Sequence, residues 1–579
     1  MAHRRGPTRT DWGRSSLGHE RRRHLPFAAF LGLLAIATTW LQFNLAPFAT
    51  TLLSLHVLFQ IVLGATAVAI LRNVVGLKTY GTFGAVIVAS AMVVAGALLG
   101  FLLFAFMLLA VVLVRAALAG EAVQESHRVA ILVTVVAMTA AAGTVLGAFS
   151  LAPGFAYAAL FPILITAWLA ERFVEEIVRV GWYPGLRTLA LTVVSVVVAY
   201  VVMIQTPVVA FVVLNPVTWT GIVILNWLLG TRVRFRISER FRFRGTKSGD
   251  ESGLGGSVLS MNLRNREFID RYNPPALLAS LDKARVKELL VPEGIPMPRT
   301  YLYVRGRRDL SQARDVLERL QRVAIKPASA YGGEGILLVR GRDNGRFRVN
   351  GHLEATDEIV RHIQRIVDGE FNEGRPDVAI LEELLEPNPR LKPLTPEGVA
   401  DIRVVCLLGH PVMAMARLPT RMSRGRANLH AGAVGAGIDL STGRLTNAVW
   451  NGVRVAVHPD TGVAFEGFQV PQWRSILEIA AEAQLSSGLG FAGVDIVLDA
   501  RHGPVVLEIN RRPGLEIQNA NREGLLPRLR AIEALAPTVV PTERRVQISL
   551  DLNAIGWRPG RSGLMPSPPP GIAPPMSGS

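Results

Sequence analysis

The 579-residue chain has a single cysteine, Cys406. That excludes an intrachain disulfide framework and suits a reducing compartment. Cys406 lies in the apolar run RVVCLL and reads as a buried structural thiol. Acidic residues are in deficit: 45 Asp and Glu stand against 62 Lys and Arg, leaving a net charge of +17. The chain's long apolar runs carry no Asp, Glu, Lys or Arg in their middles, and ion- or proton-coupled transporters usually need such groups there. His56 is the one ionisable side chain well inside a run and is expected to bond a neighbouring helix.

Apolar runs are what the chain has most of. Half the residues are hydrophobic, and eight runs stand out, at about 26–42, 48–70, 83–98, 100–117, 129–149, 155–171, 187–204 and 208–229. Most are long enough to span a bilayer core. The first is not followed by a small-residue cleavage site and a soluble domain, so it does not read as a signal peptide. Charge sorts between the connections. Arg4, Arg5, Arg9, Arg14 and Arg21 to Arg23 precede the first run, and alternate loops carry Arg72 with Lys78, Arg115 with Arg128, and Arg172, Arg179 and Arg187. The intervening loops, near 44, 99, 152 and 206, have no Lys or Arg. The positive-inside rule then puts both termini in the cytoplasm and requires an even number of spans. That count depends on a break near Gly96 to Gly100.

Arginine alternates with apolar residues in RVRFRISERFRFR (232–244), directly after the last run. Such a segment can track nucleic-acid phosphates; its position favours anionic lipid headgroups, and no nucleic-acid partner is expected. The segments are 1–25, a basic N-terminus; 26–229, an all-α polytopic membrane domain of about eight helices; 230–258, a basic juxtamembrane linker; 259–540, an α+β domain; and 541–579, an extension expected to be disordered from about 559.

The chemistry lies in the α+β domain. GVDIVLD and VVLEIN read as consecutive strands carrying Asp495, Glu508 and Asn510. Residues two apart project from one face of a strand, so Glu508 and Asn510 point together and Asp495 can join them from the next strand. All three offer oxygen donors of the kind Mg²⁺ takes beside phosphates. Upstream, Lys326 ends a short apolar strand and is followed by Ser329, Gly332, Gly333 and Gly335 in VAIKPASAYGGEGILLV. Glycines let backbone N–H groups approach phosphate oxygens, and lysine adds a point charge. The lysine precedes the glycines, no GK[ST] follows and no GxGxxG opens a helix, so this is neither a Walker A loop nor a Rossmann turn; alone, it is equally consistent with a plain hairpin.

Taken in order, LDKARVKELLVPEGIPMPRTY, VAIKPASAYGGEGILLV, AILEELLE, ADIRVVCLLG, RANLHAGA, GFAGVDIVL and VVLEINRRPG resemble the ATP-grasp superfamily over about 275–530. The nearest likeness is to RimK-type and alpha-L-glutamate ligase-related proteins. LRNVVGLKTYGTFGAV (71–86) is similar to a stretch of a seven-helix membrane domain that occurs fused to inactive transglutaminases. The resemblance implies that Lys283 and Lys326 contact ATP phosphates and that the loop Ser329 to Gly335 closes over them. It places Glu382 and Glu383 at the adenine and Glu386 at the ribose. Arg403, Arg426 and Asn428 would face the transferred phosphoryl group, and Asp495, Glu508 and Asn510 would hold Mg²⁺ or Mn²⁺.

The implied protein is an ADP-forming carboxylate–amine ligase of the bacterial inner membrane, with its ATP-grasp domain cytoplasmic. Its partners would be the lipid bilayer and a peptide or small-molecule substrate; the oligomeric state is open. A non-catalytic ATP-binding regulator, or a transporter, is the alternative reading. Three departures from the family pattern bear on the substrate. The small α/β domain that precedes the first lysine in soluble ligases is expected to be missing or vestigial, since fewer than forty residues separate the basic run from Lys283. The NLHRGG stretch reads Asn428-Leu-His-Ala-Gly-Ala, and Arg511 and Arg512 follow Asn510 where small residues are common.

Overall fold

In a computed structural model, the described residues are 16–117, scattered positions between 127 and 177, 182–246, 254–535 except 331, 350, 351 and 373, and 540–557. Of the expected span at 129–149 only 130–135, 137 and 138 are among them, and the expected span at 155–171 and the tail from 558 lie outside them.

The N-terminal part is helical: α1 (Ser16–Phe43), α2 (Ala49–Ser54), α3 (His56–Ile70), α4 (Thr82–Ala95), α5 (Ala97–Ala117), α6 (Trp182–Met203), α7 (Thr206–Leu214) and α8 (Val217–Arg232). Two expected spans are broken. The run at 48–70 divides at Leu55, and 208–229 divides at Asn215–Pro216, where α7 and the helix after it meet at 107°. Proline has no N–H to continue the ladder and disfavours helix in the residue before it. Among the described residues, three helices are long and apolar enough to cross a bilayer, or four if that bent pair is one span. The break between α4 and α5 falls at Gly96, whose φ of 87° favours glycine.

Packing in this domain uses small residues and hydroxyls, as expected where lipid removes the hydrophobic drive between helices. A Cβ on Gly64 would sit 2.9 Å from the Met203 sulfur. Thr38 and Thr220 share a 2.8 Å hydrogen bond, and the Tyr80 hydroxyl donates to the Gly185 carbonyl at 3.0 Å. Leu33, Trp40, Phe83 and Phe211 point outward, exposed. His56 opens α3, and its Nδ1 lies 3.1 Å from the carbonyl of Leu53 near the end of α2.

The C-terminal part holds two antiparallel sheets. The six-stranded sheet runs β1-β6-β2-β3-β4-β5, built from β1 (Thr300–Val304), β2 (Val323–Pro327), β3 (Leu337–Asp343), β4 (Arg346–Val349), β5 (His352–Glu354) and β6 (Ala379–Glu382). Helices Leu310–Arg319 and Thr356–Val367 cover it with Leu317, Ile359 and Ile363 against Val323, Ile325 and Leu381.

The seven-stranded sheet runs β11-β10-β9-β8-β7-β12-β13, built from β7 (Asp401–Leu407), β8 (His410–Leu418), β9 (Val434–Ile438), β10 (Leu445–Trp450), β11 (Val453–Val455), β12 (Phe491–Asp499) and β13 (Gly503–Asn510). β12 is buried along its whole length, because the helix Trp473–Ser486 covers it and strands flank it on both sides. The helix Thr542–Ala554, expected to belong to an extension, packs on β8 and on that helix through Val546 and Leu552.

The basic juxtamembrane run follows α8 directly. It folds into α9 (Ile237–Arg242), and Phe243 is fully buried in the core of the seven-stranded sheet's domain. Between α9 and Lys283 the described residues form helical turns and no strand.

Candidate active site

Strand register assembles one half of the site. Arg403 on β7 lies opposite Asp495 on β12, and Asp495 lies opposite Glu508 on β13. The three side chains therefore line up across adjacent strands on one face. Arg403 grips Asp495 with two hydrogen bonds, of 2.7 and 2.6 Å. Arg417 of β8, which the sequence reading passed over, reaches Asp495 at 2.5 Å and also pairs with Asp401. Asp495 is fully buried. Burial acts to raise its carboxyl; Arg403 and Arg417 outweigh that and hold it down at about 2. Asp401 shares Arg417 with Asp495, and burial pushes its carboxyl up to about 7 against the pull of Arg417.

The expected cation triad is thus together but not equivalent. Asp495 has both oxygens on guanidinium groups, and no cluster of three His, Cys, Asp or Glu suited to a metal occurs among the described residues. Glu508 and Asn510 are half-buried at the end of β13. Asn510 donates through Nδ2 to Asp495 at 2.8 Å and to Glu508 at 3.0 Å, so its amide oxygen takes no part in these bonds. Glu508 and Asn510 together fit a hard cation; Asp495 fixes them from behind.

The other half comes from the six-stranded sheet. Lys326, at the end of β2, meets Glu382 at 2.5 Å, and Lys287 meets the same carboxylate at 2.6 Å. Lys287 lies one helical turn beyond Lys283, on the helix Lys283–Leu290, and its role was not read from the sequence although the KARVK spacing displays it. Burial acts to raise Glu382, and the two ammonium groups outweigh it and hold it low. The Glu382 carboxylate, expected at the adenine, is paired with these two lysines. Lys283 donates to the Ala330 carbonyl at 2.5 Å, and burial lowers its pKa, with Glu508 raising it and Lys326 lowering it. Lys283 thus lies in the fields of both halves.

The glycine loop is the β2–β3 connection. Gly332, Gly333 and Gly335 have φ of 70°, 85° and 66°, and a Cβ on Gly335 would lie 2.7 Å from the Phe371 ring. Asp377 anchors the loop's start by accepting from the Ser329 N–H at 3.0 Å. Across from it, Asn428 approaches the Gly332 carbonyl at 3.4 Å, and the Arg426 side chain lies beside Gly333. Glu383 falls just past β6 and pairs with Arg501 at 2.9 Å and His502 at 3.1 Å. Glu386 pairs with Arg322, and its N–H donates to Asp499 at 2.6 Å, which pins the segment between the two sheets. Cys406 is fully buried on β7, away from this chemistry.

The two antiparallel sheets thus carry a glycine-rich hairpin with a lysine at its root and paired acidic and amide oxygens at a strand end. Residues 263–534 match the family described as sugar-transfer associated ATP-grasp, and residues 35–247 match that described as seven transmembrane helices usually fused to an inactive transglutaminase. The first match covers 272 of the 579 residues and the second 213, each less than half of the chain. A probable alpha-L-glutamate ligase of Legionella pneumophila is 26% identical over 263 residues, covering 44% of this chain and 64% of that one. One from Xanthomonas axonopodis pv. citri is 26% identical over 269 residues, covering 45% and 69%. The chain thus spans less than two thirds of the Legionella relative. The solved ATP-grasp ligase PsnB with its minimal precursor overlaps 46% of this chain and 64% of its own at 19% identity, with a TM-score of 0.26.

Proposed function

We propose that this protein is a membrane-embedded, ATP- and Mg²⁺-dependent carboxylate–amine ligase, transferring an amino acid of the glutamate type to a peptide or small-molecule acceptor. The observation that carries the reading is the opposition of Lys283, Lys326 and the glycine hairpin to Arg403, Glu508 and Asn510. That arrangement supplies positive charge for a triphosphate and oxygen donors for its cation in one cleft.

In the proposed reaction a substrate carboxylate oxygen attacks the γ-phosphorus and ADP leaves. The amine nitrogen then attacks the acyl carbon, loses a proton, and phosphate departs. Mg²⁺, held by Glu508 and Asn510, would neutralise phosphate oxygens. Lys326 would turn from Glu382 toward the phosphates while Lys287 keeps that carboxylate paired. Lys283 fixes the loop's Ala330 carbonyl and contributes charge. Arg426 and Asn428 close against the hairpin and exclude water. These are positioning and electrostatic roles, which dominate phosphoryl transfer. No nucleophilic side chain is required.

We place the N-terminus and the ATP-grasp domain on the cytoplasmic side of a bacterial inner membrane. The arginine-bearing loops support this, and so does contact between one of them and the domain: Asn262 donates to the Asn73 carbonyl at 3.3 Å, and Ser238 to that of Gly76 at 3.3 Å.

The test is ADP release by the purified full chain with ATP and Mg²⁺, screened over amino acids and acceptor pools, against Glu508→Gln. Stimulation by one pool that the variant loses would establish ligation. Tight ATP binding without turnover on any pool would favour a regulatory ATP-binding module.

A further inference from the structure

An arginine cluster lies between the membrane exit and the end of β13. Arg264 is 8% exposed, and its guanidinium contacts only neutral oxygens and a sulfur: the Pro513 carbonyl at 2.9 Å, Asn265 Oδ1 at 3.1 and 2.9 Å, and Met261 Sδ at 3.4 Å. No carboxylate lies within ion-pair distance of it among the described residues. A buried charge without a counter-charge is costly, so such a group calls for an anion.

Its neighbours deepen the excess. Arg236 bonds the amide oxygen of Asn262 twice, at 3.1 Å each. The nearby Glu239 carboxylate is spent on the backbone N–H groups of Arg236 and Met261, at 3.0 and 2.7 Å. Arg512, next to Pro513, is exposed and makes no hydrogen bond or ion pair among the described residues. Among the described residues, Arg242 alone of these four arginines has a carboxylate partner, Glu516 at 2.6 Å. Burial, then the charges of Arg512, Arg242 and Arg236, lower Arg264 to about 10, which agrees with their proximity.

The location specifies the source of the anion. Arg236 follows the end of α8 by four residues. On α9, Ile237 and Phe241 stand one turn apart, 48% and 60% exposed, the pattern of a helix resting at a lipid interface. On the other side, Pro513 and Arg512 belong to the turn that leaves Asn510. We propose that Arg236, Arg242, Arg264 and Arg512 form a binding site for the phosphate-bearing headgroup of a bilayer lipid, presenting a lipid-linked substrate to the turn after β13. The presenting role rests on the ligase reading; the binding does not.

The experiment measures binding to the full chain in neutral detergent without nucleotide, by calorimetry. Probes are dihexanoyl phosphatidic acid, dihexanoyl glycerol, inorganic phosphate and a short single-stranded oligonucleotide. The expected result is binding of the phosphatidic acid alone, weakened about fivefold by Arg512→Ala, in keeping with one basic group at an anionic headgroup. Removing Arg242 as well should weaken it further. Arg454→Ala, on β11 at the opposite edge of the sheet, should leave it unchanged. Equal binding of inorganic phosphate, tighter binding of the oligonucleotide, or phosphatidic acid binding that Arg512→Ala leaves intact would each overturn the proposal. So would no binding at all. A protein that binds the lipid and never turns over ATP would sink the ligase reading and leave the site standing.

Discussion

Arg403 and Asp495 face each other across β7 and β12, joined by two charge-assisted hydrogen bonds of 2.7 and 2.6 Å, with Asp495 fully buried. The pair sits directly behind Asn510, so the geometry of the proposed cation site is inherited from an ion pair. Replacing Asp495 by Asn leaves Arg403 and Arg417 without their shared carboxylate. We expect a loss of about 3–5 kcal/mol, as for one partner removed from a buried pair, together with loss of ATP turnover. Denaturant unfolding of the detergent-solubilised chain, read beside ADP release, checks both.

The two lysines on Glu382 should separate by readout. Lys287 is 3% exposed and also donates to the Pro298 carbonyl at 2.7 Å, so Lys287→Met should mainly reduce stability. Lys326 lies at the cleft end of β2, so Lys326→Met should mainly weaken ATP, by at least about tenfold for one lost phosphate contact. Thermal midpoints and nucleotide titrations on the two variants would refute this if their effects were interchangeable.

In the hairpin, Gly335→Ala should be worse than Gly332→Ala. Both glycines have positive φ, but an added Cβ at 335 meets the Phe371 ring at 2.7 Å, whereas at 332 the nearest atom is 3.7 Å away. We expect Gly335→Ala to lower ATP affinity severalfold more than its neighbour, measured by calorimetric titration.

Stability should also fall on mild acidification. His410 is buried with Nδ1 3.1 Å from the Arg545 carbonyl, and burial, with Arg545 nearby, lowers its pKa to about 4. The folded state binds the proton less readily than the unfolded chain, whose histidine titrates near 6.5. Stability from this group is therefore full above about pH 6.5 and declines as pH falls toward 4, by up to about 3 kcal/mol. In His410→Gln the pH dependence of the unfolding midpoint should flatten over that window.

The sequence made the strands and their polar ends legible, because period-2 placement of Glu508 and Asn510 survives in any twisted sheet. It also placed the break at Gly96, where a glycine interrupts two apolar stretches. It did not disclose that Asp495 turns to guanidinium groups, since that depends on Arg417 arriving from β8 in the register that opposes it to Asp401. Nor did it disclose the pairing of Glu382, because Lys287, which meets its carboxylate, lies on a helix almost a hundred residues earlier. The apolar runs at 48–70 and 208–229 read as single spans because hydropathy averages over a Leu55 break and an Asn215–Pro216 bend. Composition also does not reveal which phenylalanine of the basic linker, Phe243, is driven into the core.

The helix Thr542–Ala554 marks where the chain can be cut. It lies beyond the 263–534 stretch shared with the ATP-grasp family, yet its Val546 and Leu552 seal the face of β8, and Arg545 donates to the Leu408 carbonyl at 2.7 Å. A protein trimmed at the family boundary would open an apolar sheet face to water and be prone to aggregate, whereas one ending after Trp557 keeps its lid.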